Sequence, residues 1–384
     1  MNATVAFVLT PDHCMIRDSA AQFLAQASSS ADVRRAMVSA DGIDHVLWQR
    51  ISAELGWCAT SVPEQNGGLG LGTVELALLM EQMGRRLMCA PFLSTVCLAA
   101  SVLTAVVQSD ITAHYLTQIA AGDLTASLPL GSDSADWLTR PDCLTAVADG
   151  SDYILHGSVR HVPDGASAQL LLLPVRLNGN ALPGLFAVAQ GVAGMTAHAH
   201  VTLDATRRLA EVRLDGVRVP SAALIAVGEK ATKAITHATT QAMILLAAEQ
   251  LGGAQQCLDM TVDYVSQRVQ FGRSIASFQA VKHRCADMMV KVEAARSAVY
   301  GAAHAMTNAR RLSDAQLLLE AACAKTFASD AFFFCAQEAI QLHGGAGFTW
   351  EYDPHLYFKR AQAGSHWLGH PDQLRERVAA VLLD

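Results

Sequence analysis

Apolar residues recur every three or four positions from residue 11 to about residue 121, which is the spacing of one face of a helix. Thr10 and Pro11 stand in the cap and first-turn positions where such a helix begins. Between about 122 and 227 the spacing changes to alternation, in short runs such as DYILHG, AQLLLLPV and AEVRLDGVRVP. The pattern predicts an α-helical first segment followed by a small β domain.

Helical spacing returns near residue 229 and continues almost to the end of the chain. The long predicted helices occupy 229–267, 278–309 and 313–342. Three helices of this length with short connections predict an antiparallel bundle. The predicted fold class is therefore α+β, an N-terminal α domain, a middle β domain and a C-terminal bundle. Their predicted bounds are 1–121, 122–227 and 228–384.

Composition argues against several classes of function. An uncharged run from 87 to 109 raises the alternative of a membrane span, but Pro91 and many small residues favour a buried helix. The net charge of −7 argues against a nucleic-acid surface. Nine scattered cysteines form no metal-ligand spacing, and no secretory signal opens the sequence. We expect reduced thiols, no metal site and a cytoplasmic location.

The connection 268–284, RVQFGRSIASFQAVKHR, contains four basic residues and no acid. In an acidic protein this predicts a local anion site. Arg268 offers a planar fork for phosphate oxygens, Phe271 a flat apolar surface, Gly272 backbone freedom and Gln279 an amide. A solvated loop between two helices is the alternative interpretation.

A glycine cluster follows in QLHGGAGFTWEYD, residues 341–353, where a helix is predicted to end. Peptide N–H groups at Gly344, Gly345 and Gly347 could approach a pyrophosphate closely. A helix C-cap and turn is the alternative. A lipase-like oxyanion loop would need a G-x-S-x-G elbow, which the sequence lacks.

Three weaker signals remain. His198 and His200 would share one strand face, and without a third ligand an ordinary face is the prediction. GSDSAD, residues 131–136, is either a phosphate-cradling turn or a plain loop. Glu249 is either a shielded acid or an exposed position on an amphipathic helix, and the spacing favours the exposed position.

Taken together, the 268–279 and 341–353 segments resemble those of the acyl-CoA dehydrogenase family. The resemblance extends over essentially the whole chain, through VPEQNGGLGLGTVELALLMEQMGR (62–85), LDGVRVP (214–220) and AAEQLGGAQ (247–255). It implies a barrel-like middle domain, a C-terminal four-helix bundle and FAD shared between subunits. The residues that it assigns to the ADP half of FAD are Arg268, Phe271, Gly272, Gln279, Gln341, Gly344, Gly345 and Gly347.

The half of the site that holds the flavin ring departs from the family pattern. The pattern Thr-Glu-Pro-x-x-Gly-Ser-Asp is reduced to SLPLGSD, with Leu128 in place of the acid and one residue fewer. His161, Val162 and Pro163 stand where the family has Trp-Ile-Thr. The resemblance therefore implies that the isoalloxazine pocket is lost.

Both positions that the family uses for a catalytic base are apolar. Counting from Gln341 without a gap places the usual glutamate at Leu368, directly before Gly369. The alternative base position falls at Ala242, followed by Met243. A positioned general base contributes roughly 10²–10⁴ in rate, so its loss removes much of the expected activity.

An intact ADP half beside a lost ring pocket resembles the non-catalytic subunit of heteromeric (α₂β₂) dehydrogenases of bacterial steroid side-chain degradation. The resemblance implies a homologous catalytic partner in a heterotetramer, an acyl-CoA substrate, and either an electron-transfer flavoprotein or oxygen as acceptor. One alternative is a self-sufficient homotetrameric flavoenzyme in which Glu249 or Glu351 is the base. Another is a pseudoenzyme that binds acyl-CoA or a protein surface without redox chemistry.

Overall fold

The computed structural model describes residues 8–129, 143–177, 183–309 and 312–383. These residues form two compact units. The first unit contains the described residues within 1–34, 73–88 and 243–384, and the second contains those within 35–72 and 89–242. The predicted division into three domains follows the order of the sequence, whereas these two units combine segments that are far apart in it. The three-domain division stays a prediction.

The chain up to residue 121 is helical, as predicted. Its α-helices are α1 (Pro11–Ala27), α2 (Ser30–Val38), α3 (His45–Gln49), α4 (Thr73–Arg85), α5 (Ser101–Ala105) and α6 (Asp110–Ala121). Helix α1 begins at the predicted residues, because Thr10 and His13 each accept a hydrogen bond from the other's backbone N–H at 3.2 Å. This reciprocal cap satisfies two amides that the first turn leaves without helical partners.

The uncharged run 87–109 lies in the protein interior over most of its length. Residues Leu93–Ala100 form π-helical turns that continue directly into α5, and every one of them is buried. No helix in the described ranges is both long enough and apolar enough to cross a membrane. The prediction of a buried helix is confirmed, although the wide π-helical turns were not predicted.

The second unit contains a mixed sheet. Its strands are β1 (Ala126–Ser127), β2 (Leu144–Asp149), β3 (Asp152–Pro163), β4 (Leu170–Leu177), β5 (Pro183–Ala189), β6 (Met195–Ala199), β7 (Leu209–Pro220) and β8 (Leu224–Val227). Their order is β6-β7-β3-β2-β4-β5-β8, with β1 also paired to β4. The β1–β4 and β2–β4 pairs are parallel and the others antiparallel. Strand β4 is almost wholly buried, as its continuous apolar run predicts.

Long helices follow the sheet. They are α7 (Glu229–Gln267), α8 (Gln279–Thr307), α9 (Asp314–His343), α10 (Pro354–Ser365) and α11 (Pro371–Leu383). A short hairpin of β9 (Val269–Gln270) and β10 (Arg273–Ser274) joins α7 to α8. In the first unit α9 packs against α8, α10 and α11. The predicted helices agree with α7, α8 and α9 to within two residues at each end, and the predicted bundle is confirmed.

Helices α4 and α7 meet backbone to backbone in the first unit, and two glycines permit this contact. A Cβ atom at Gly84 would lie 1.9 Å from the carbonyl oxygen of Glu249, and one at Gly252 would lie 1.8 Å from that of Glu81. Gly253 faces the ring of Phe332, which a Cβ atom would approach to 2.4 Å. The α4–α7 contact therefore requires glycine at positions 84 and 252.

We predict that Gly252→Ala destabilises the protein by at least ~2 kcal/mol, because one helix must shift to accommodate the methyl group. Gly301→Ala is the matched control, since Gly301 is also inside a long helix but has open space around its Cα. The control should be stabilised by about 0.5–1 kcal/mol through helix propensity. Urea unfolding of both variants tests this, and equal stabilities would contradict the close contact.

Candidate functional site

The basic connection 268–284 begins with a tight hairpin. Phe271 and Gly272 are the two central residues of its turn, with φ of 55° and 77°, as a type I′ turn requires. Glycine adopts this conformation readily, whereas a phenylalanine there is strained. The Phe271 side chain is nevertheless 90% exposed. The turn therefore presents a flat aromatic ring on the outside of the chain.

Backbone hydrogen bonds fix both sides of Arg268. Its N–H donates to the carbonyl of Tyr264 at 2.9 Å, and its own carbonyl accepts from the N–H of Ile275 at 2.9 Å. The Ser274 hydroxyl lies 2.8 Å from the carbonyl oxygen of Val265 and satisfies a group at the C-terminus of α7. The Arg268 side chain is exposed at the base of this ordered hairpin.

Two other basic residues of the connection, Arg273 and Arg284, have partners. The Arg273 guanidinium lies 4.1 Å from the ring centroid of Phe278. Arg284 pairs with Glu338 of α9 at 3.2 Å, an acid that the local sequence could not indicate. Gln279 is the first residue of α8, after a cap residue whose side chain makes no capping hydrogen bond.

The glycine cluster lies at the C-terminus of α9. Gln341 is in the last turn of that helix, and Gly344 follows the helix with a positive φ of 61°. Gly347 packs closely, since a Cβ atom there would lie 2.8 Å from the carbonyl oxygen of Ile340. Gly345 differs, because its φ is not positive and a Cβ atom at this position would have no neighbour within 4 Å. The fold of this chain does not itself require glycine at 345.

An aromatic cluster joins the two motifs within the first unit. The rings of Tyr264, on α7, and His343, on α9, stack with centroids 4.2 Å apart and an interplanar angle of 20°. The Tyr264 hydroxyl donates to the carbonyl of His343 at 3.3 Å. Tyr352 meets both rings edge-on, at 5.8 and 6.0 Å. The three side chains line a cavity of about 380 Å³.

The side chain at the usual base position is apolar and its backbone is unusual. Leu368 is half-buried and has a φ of 56°, and Gly369 follows with a φ of 109°. A Cβ atom at Gly369 would lie 2.8 Å from Leu374. Ala242, the alternative base position, is completely buried and Met243 nearly so.

Glu249 is buried, so the interpretation of an exposed position is wrong. Its carboxylate accepts a hydrogen bond from Arg360 of α10, and both side chains are at least 95% buried. A buried charge needs such a partner, and Arg360 is far away in the sequence. Glu351 has the opposite environment, because it is exposed and hydrogen bonding from Thr349 lowers its pKa.

A second buried polar group, Lys325, was missed from the sequence. Its ammonium donates to the hydroxyl of Ser329 at 2.8 Å and lies 3.3 Å from the carbonyl oxygen of Ser365. Ser329 donates in turn to Gln250 at 2.9 Å. Burial lowers the pKa of Lys325 to about 7. Its spacing from Ala321 and Ala328 on one helical face was the available signal.

Residues predicted near the flavin ring lie in the second unit. Leu128 is fully buried after β1, and the neighbouring Ser127 hydroxyl donates to the carbonyl of Pro163 at 2.5 Å. His161 has a φ of 58° where the β3–β7 pairing is irregular, and its ring lies 6.2 Å from that of His200. The GSDSAD segment lies outside the described residues. The loss of the ring pocket stays a prediction.

Metal ligation finds no support in the described part of the chain. No group of three or more metal-ligating side chains occurs there. His198 is exposed on β6, opposite Glu211 of β7. The nine cysteines all lie within the described residues, and none of them is in a disulfide.

Known proteins that resemble this chain identify its family. The family model of the acyl-CoA dehydrogenase N-terminal domain matches residues 10–123, and that of the C-terminal domain matches 229–383. Acyl-CoA dehydrogenase IpdE2 of Mycobacterium tuberculosis is 35% identical over 364 residues, 95% of each chain. The chain belongs to the acyl-CoA dehydrogenase family. It is an FAD-dependent oxidoreductase by family and fold, so the predicted enzyme class and cofactor are confirmed.

Solved structures agree with this assignment. The Tcur3481-Tcur3483 steroid ACAD G363A variant is 27% identical, with a TM-score of 0.85 over 97% of this chain and 98% of that one. The ChsE4-ChsE5 complex from Mycobacterium tuberculosis has a TM-score of 0.87 at 24% identity over 98% of each chain, which shows the fold alone. The predicted fold class is confirmed, with a helical N-terminal part, a central mixed sheet and a C-terminal bundle.

We predict that the buried Lys325 makes stability depend on pH. Its pKa is about 7 when folded and about 10.4 when unfolded, so between these values the unfolded chain binds more protons. Stability should therefore rise with pH from about 7 to about 10, by up to ~1.4 kcal/mol per unit, and this dependence should be absent below pH 7.

Urea unfolding between pH 7 and 9.5 measures this effect. Lys325→Met should remove the rise, whereas Lys291→Met, at an exposed lysine of α8, should retain it. Apart from residues 291 and 325, the two variants have the same titrating groups. The difference between their pH profiles therefore reports on Lys325. Parallel pH profiles for the two variants would contradict the lowered pKa.

Proposed function

We propose that this chain is the FAD-binding, non-catalytic subunit of a heteromeric acyl-CoA dehydrogenase. It supplies the ADP half of the FAD site, and a homologous partner supplies the flavin-ring pocket and the base in a cytoplasmic heterotetramer. The reaction is α,β-desaturation of an acyl-CoA thioester. The proposal accounts for a chain that keeps one half of a shared site and has apolar residues at both base positions.

The observation that carries the proposal is the apolar environment of the base. Leu368 cannot accept a proton, and Ala242 is completely buried with no polar side-chain atom. Glu249, the first substitute, is held by Arg360 in the interior. Removing one partner of such a pair leaves an uncompensated buried charge, so Glu249 is a poor acceptor for a substrate proton. Glu351 is an exposed carboxylate with a lowered pKa, which makes it a weak base.

The exposed hairpin and the glycine turn support the ADP half-site. Phe271 keeps a strained backbone while its ring contributes little to the core, and such strain is typical of ligand-binding positions. Neither packing nor φ requires a glycine at position 345. A glycine there fits the close approach of a phosphate to its peptide N–H. Both features fit the ADP part of FAD.

Within this site the residues of the chain bind and orient. Arg268 would form charge-assisted hydrogen bonds to the pyrophosphate, and the N–H group of Gly345 would add a neutral one, since the N–H of Gly344 already donates to the carbonyl of Gln341. Phe271 would offer a stacking surface, and the amides of Gln279 and Gln341 would fix orientation. When bound, FAD supplies an acceptor for the hydride that leaves the substrate β-carbon. The substrate α-proton would go to a carboxylate of the partner.

One solved structure that is 27% identical to this chain is described as a steroid ACAD with two named chains, which favours a steroid-type substrate and a heteromeric assembly. We extend that organisation to this chain, with a bulky steroid side-chain CoA thioester as substrate. An electron-transfer flavoprotein is the proposed acceptor.

Turnover measurements test the proposal. The chain alone should show no acyl-CoA dehydrogenase activity with a steroid side-chain CoA thioester and an artificial electron acceptor, whereas co-expression with the partner should restore activity. Leu368→Glu should leave the isolated chain inactive, because the ring pocket would still be missing and an acid in apolar surroundings tends to be protonated. Leu368→Gln is the isosteric control for this change.

Activity of the isolated wild-type chain comparable to that of the assembled complex would overturn the proposal. Activity gained by Leu368→Glu but not by Leu368→Gln would also overturn it, since it would show that the chain has its own ring pocket. Glu249→Gln and Glu351→Gln would then identify the base in the self-sufficient enzyme.

A further inference from the structure

The stack of Tyr264 on His343 is the direct link between the two motifs of the half-site. Tyr264 lies one helical turn before Arg268, whose N–H bonds to the Tyr264 carbonyl. His343 immediately precedes Gly344, where α9 ends. The hydroxyl of Tyr264 also bonds to the backbone of His343 at 3.3 Å. Any shift of the hairpin relative to the glycine turn must therefore slide this stack.

The His343 ring is held from a second direction. Its Nδ1 lies 2.6 Å from the carbonyl oxygen of Ala339, so Nδ1 carries the proton and donates. The residue is only 5% exposed, and burial lowers its pKa, which keeps the imidazole neutral. A neutral ring fixed by its own helix is a firm surface for Tyr264. Stacked aromatic pairs contribute about 0.5–1.5 kcal/mol beyond their buried area.

A cavity borders this stack on one side. Tyr264, His343 and Tyr352 form part of the wall of the 380 Å³ cavity, and the polar side chains of Arg86 and Asp263 line it as well. Packing is therefore incomplete on that side of the cluster.

We propose that Tyr264 and His343 are positioning residues that hold the Arg268 hairpin and the Gly344–Gly347 turn at the separation that the ADP moiety of FAD requires. This inference rests on the proposed function and deepens it. Neither side chain is expected to touch FAD. The essential feature is the ring of Tyr264, and its hydroxyl adds a smaller contribution.

FAD titration of the assembled complex, stripped of flavin, tests the proposal. Flavin fluorescence should show about tenfold weaker binding for Tyr264→Leu, which removes the ring. Tyr264→Phe keeps the stack, so its affinity should stay within about threefold of wild type. His343→Leu removes the same stack from the other helix and should weaken binding to the same extent, which covers a folding failure of Tyr264→Leu.

A double-mutant cycle separates positioning from general stability. If Tyr264 acts by placing Arg268, Tyr264→Leu should cost much less affinity in the Arg268→Ala background than in wild type. Tyr153→Leu is the matched control, since Tyr153 meets Phe186 edge-on at 5.3 Å in the second unit. That variant should lower the melting temperature and leave FAD affinity unchanged.

The outcomes distinguish a failure of the proposed ADP half-site from a failure of the positioning role alone. Unchanged affinity in Arg268→Ala would overturn the half-site, and with it the positioning role. Weakened binding in Arg268→Ala with wild-type affinity in Tyr264→Leu would overturn the positioning role alone. Additive losses of Tyr264→Leu and Arg268→Ala would also overturn it, because independent effects indicate only a structural role for Tyr264.

Discussion

The backbone contact between α4 and α7 determines how the first unit is built. Because Gly84 and Gly252 carry no side chains, the two helices approach until the carbonyl oxygens of Glu249 and Glu81 lie where Cβ atoms would otherwise be. At this separation the side chain of Glu249 is enclosed and needs a buried counter-charge. Arg360 of α10 provides that charge.

Buried polar groups stabilise the fold, whereas the residues just after the end of α7 are exposed to solvent. Lys325, Ser329 and Gln250 form a continuous chain of hydrogen bonds inside the bundle, beside the segment that leads to Leu368. Arg268 and Phe271 are exposed on an ordered hairpin. This contrast is what a subunit needs if it binds a shared cofactor from outside and leaves the proton transfer to its partner.

Much of the fold could be predicted from local patterns, because helical and strand periodicity are properties of neighbouring residues. The bounds of α7, α8 and α9 follow directly from spacing. Glu249 could not be placed, since its partner is 111 residues away and only the packed structure brings Arg360 to it. The family resemblance indicated the two motifs of the proposed half-site. The stack of Tyr264 on His343 that joins them has no local sequence signal, because it depends on how α7 and α9 pack.

The central claim is that this chain contributes one half of each FAD site. Native mass spectrometry of the co-expressed complex measures this most directly, because it counts chains and FAD molecules in the same particle. The account predicts two copies of each chain with two FAD, and homomeric assemblies of this chain without FAD. A homotetramer of this chain that retains four FAD would contradict the account.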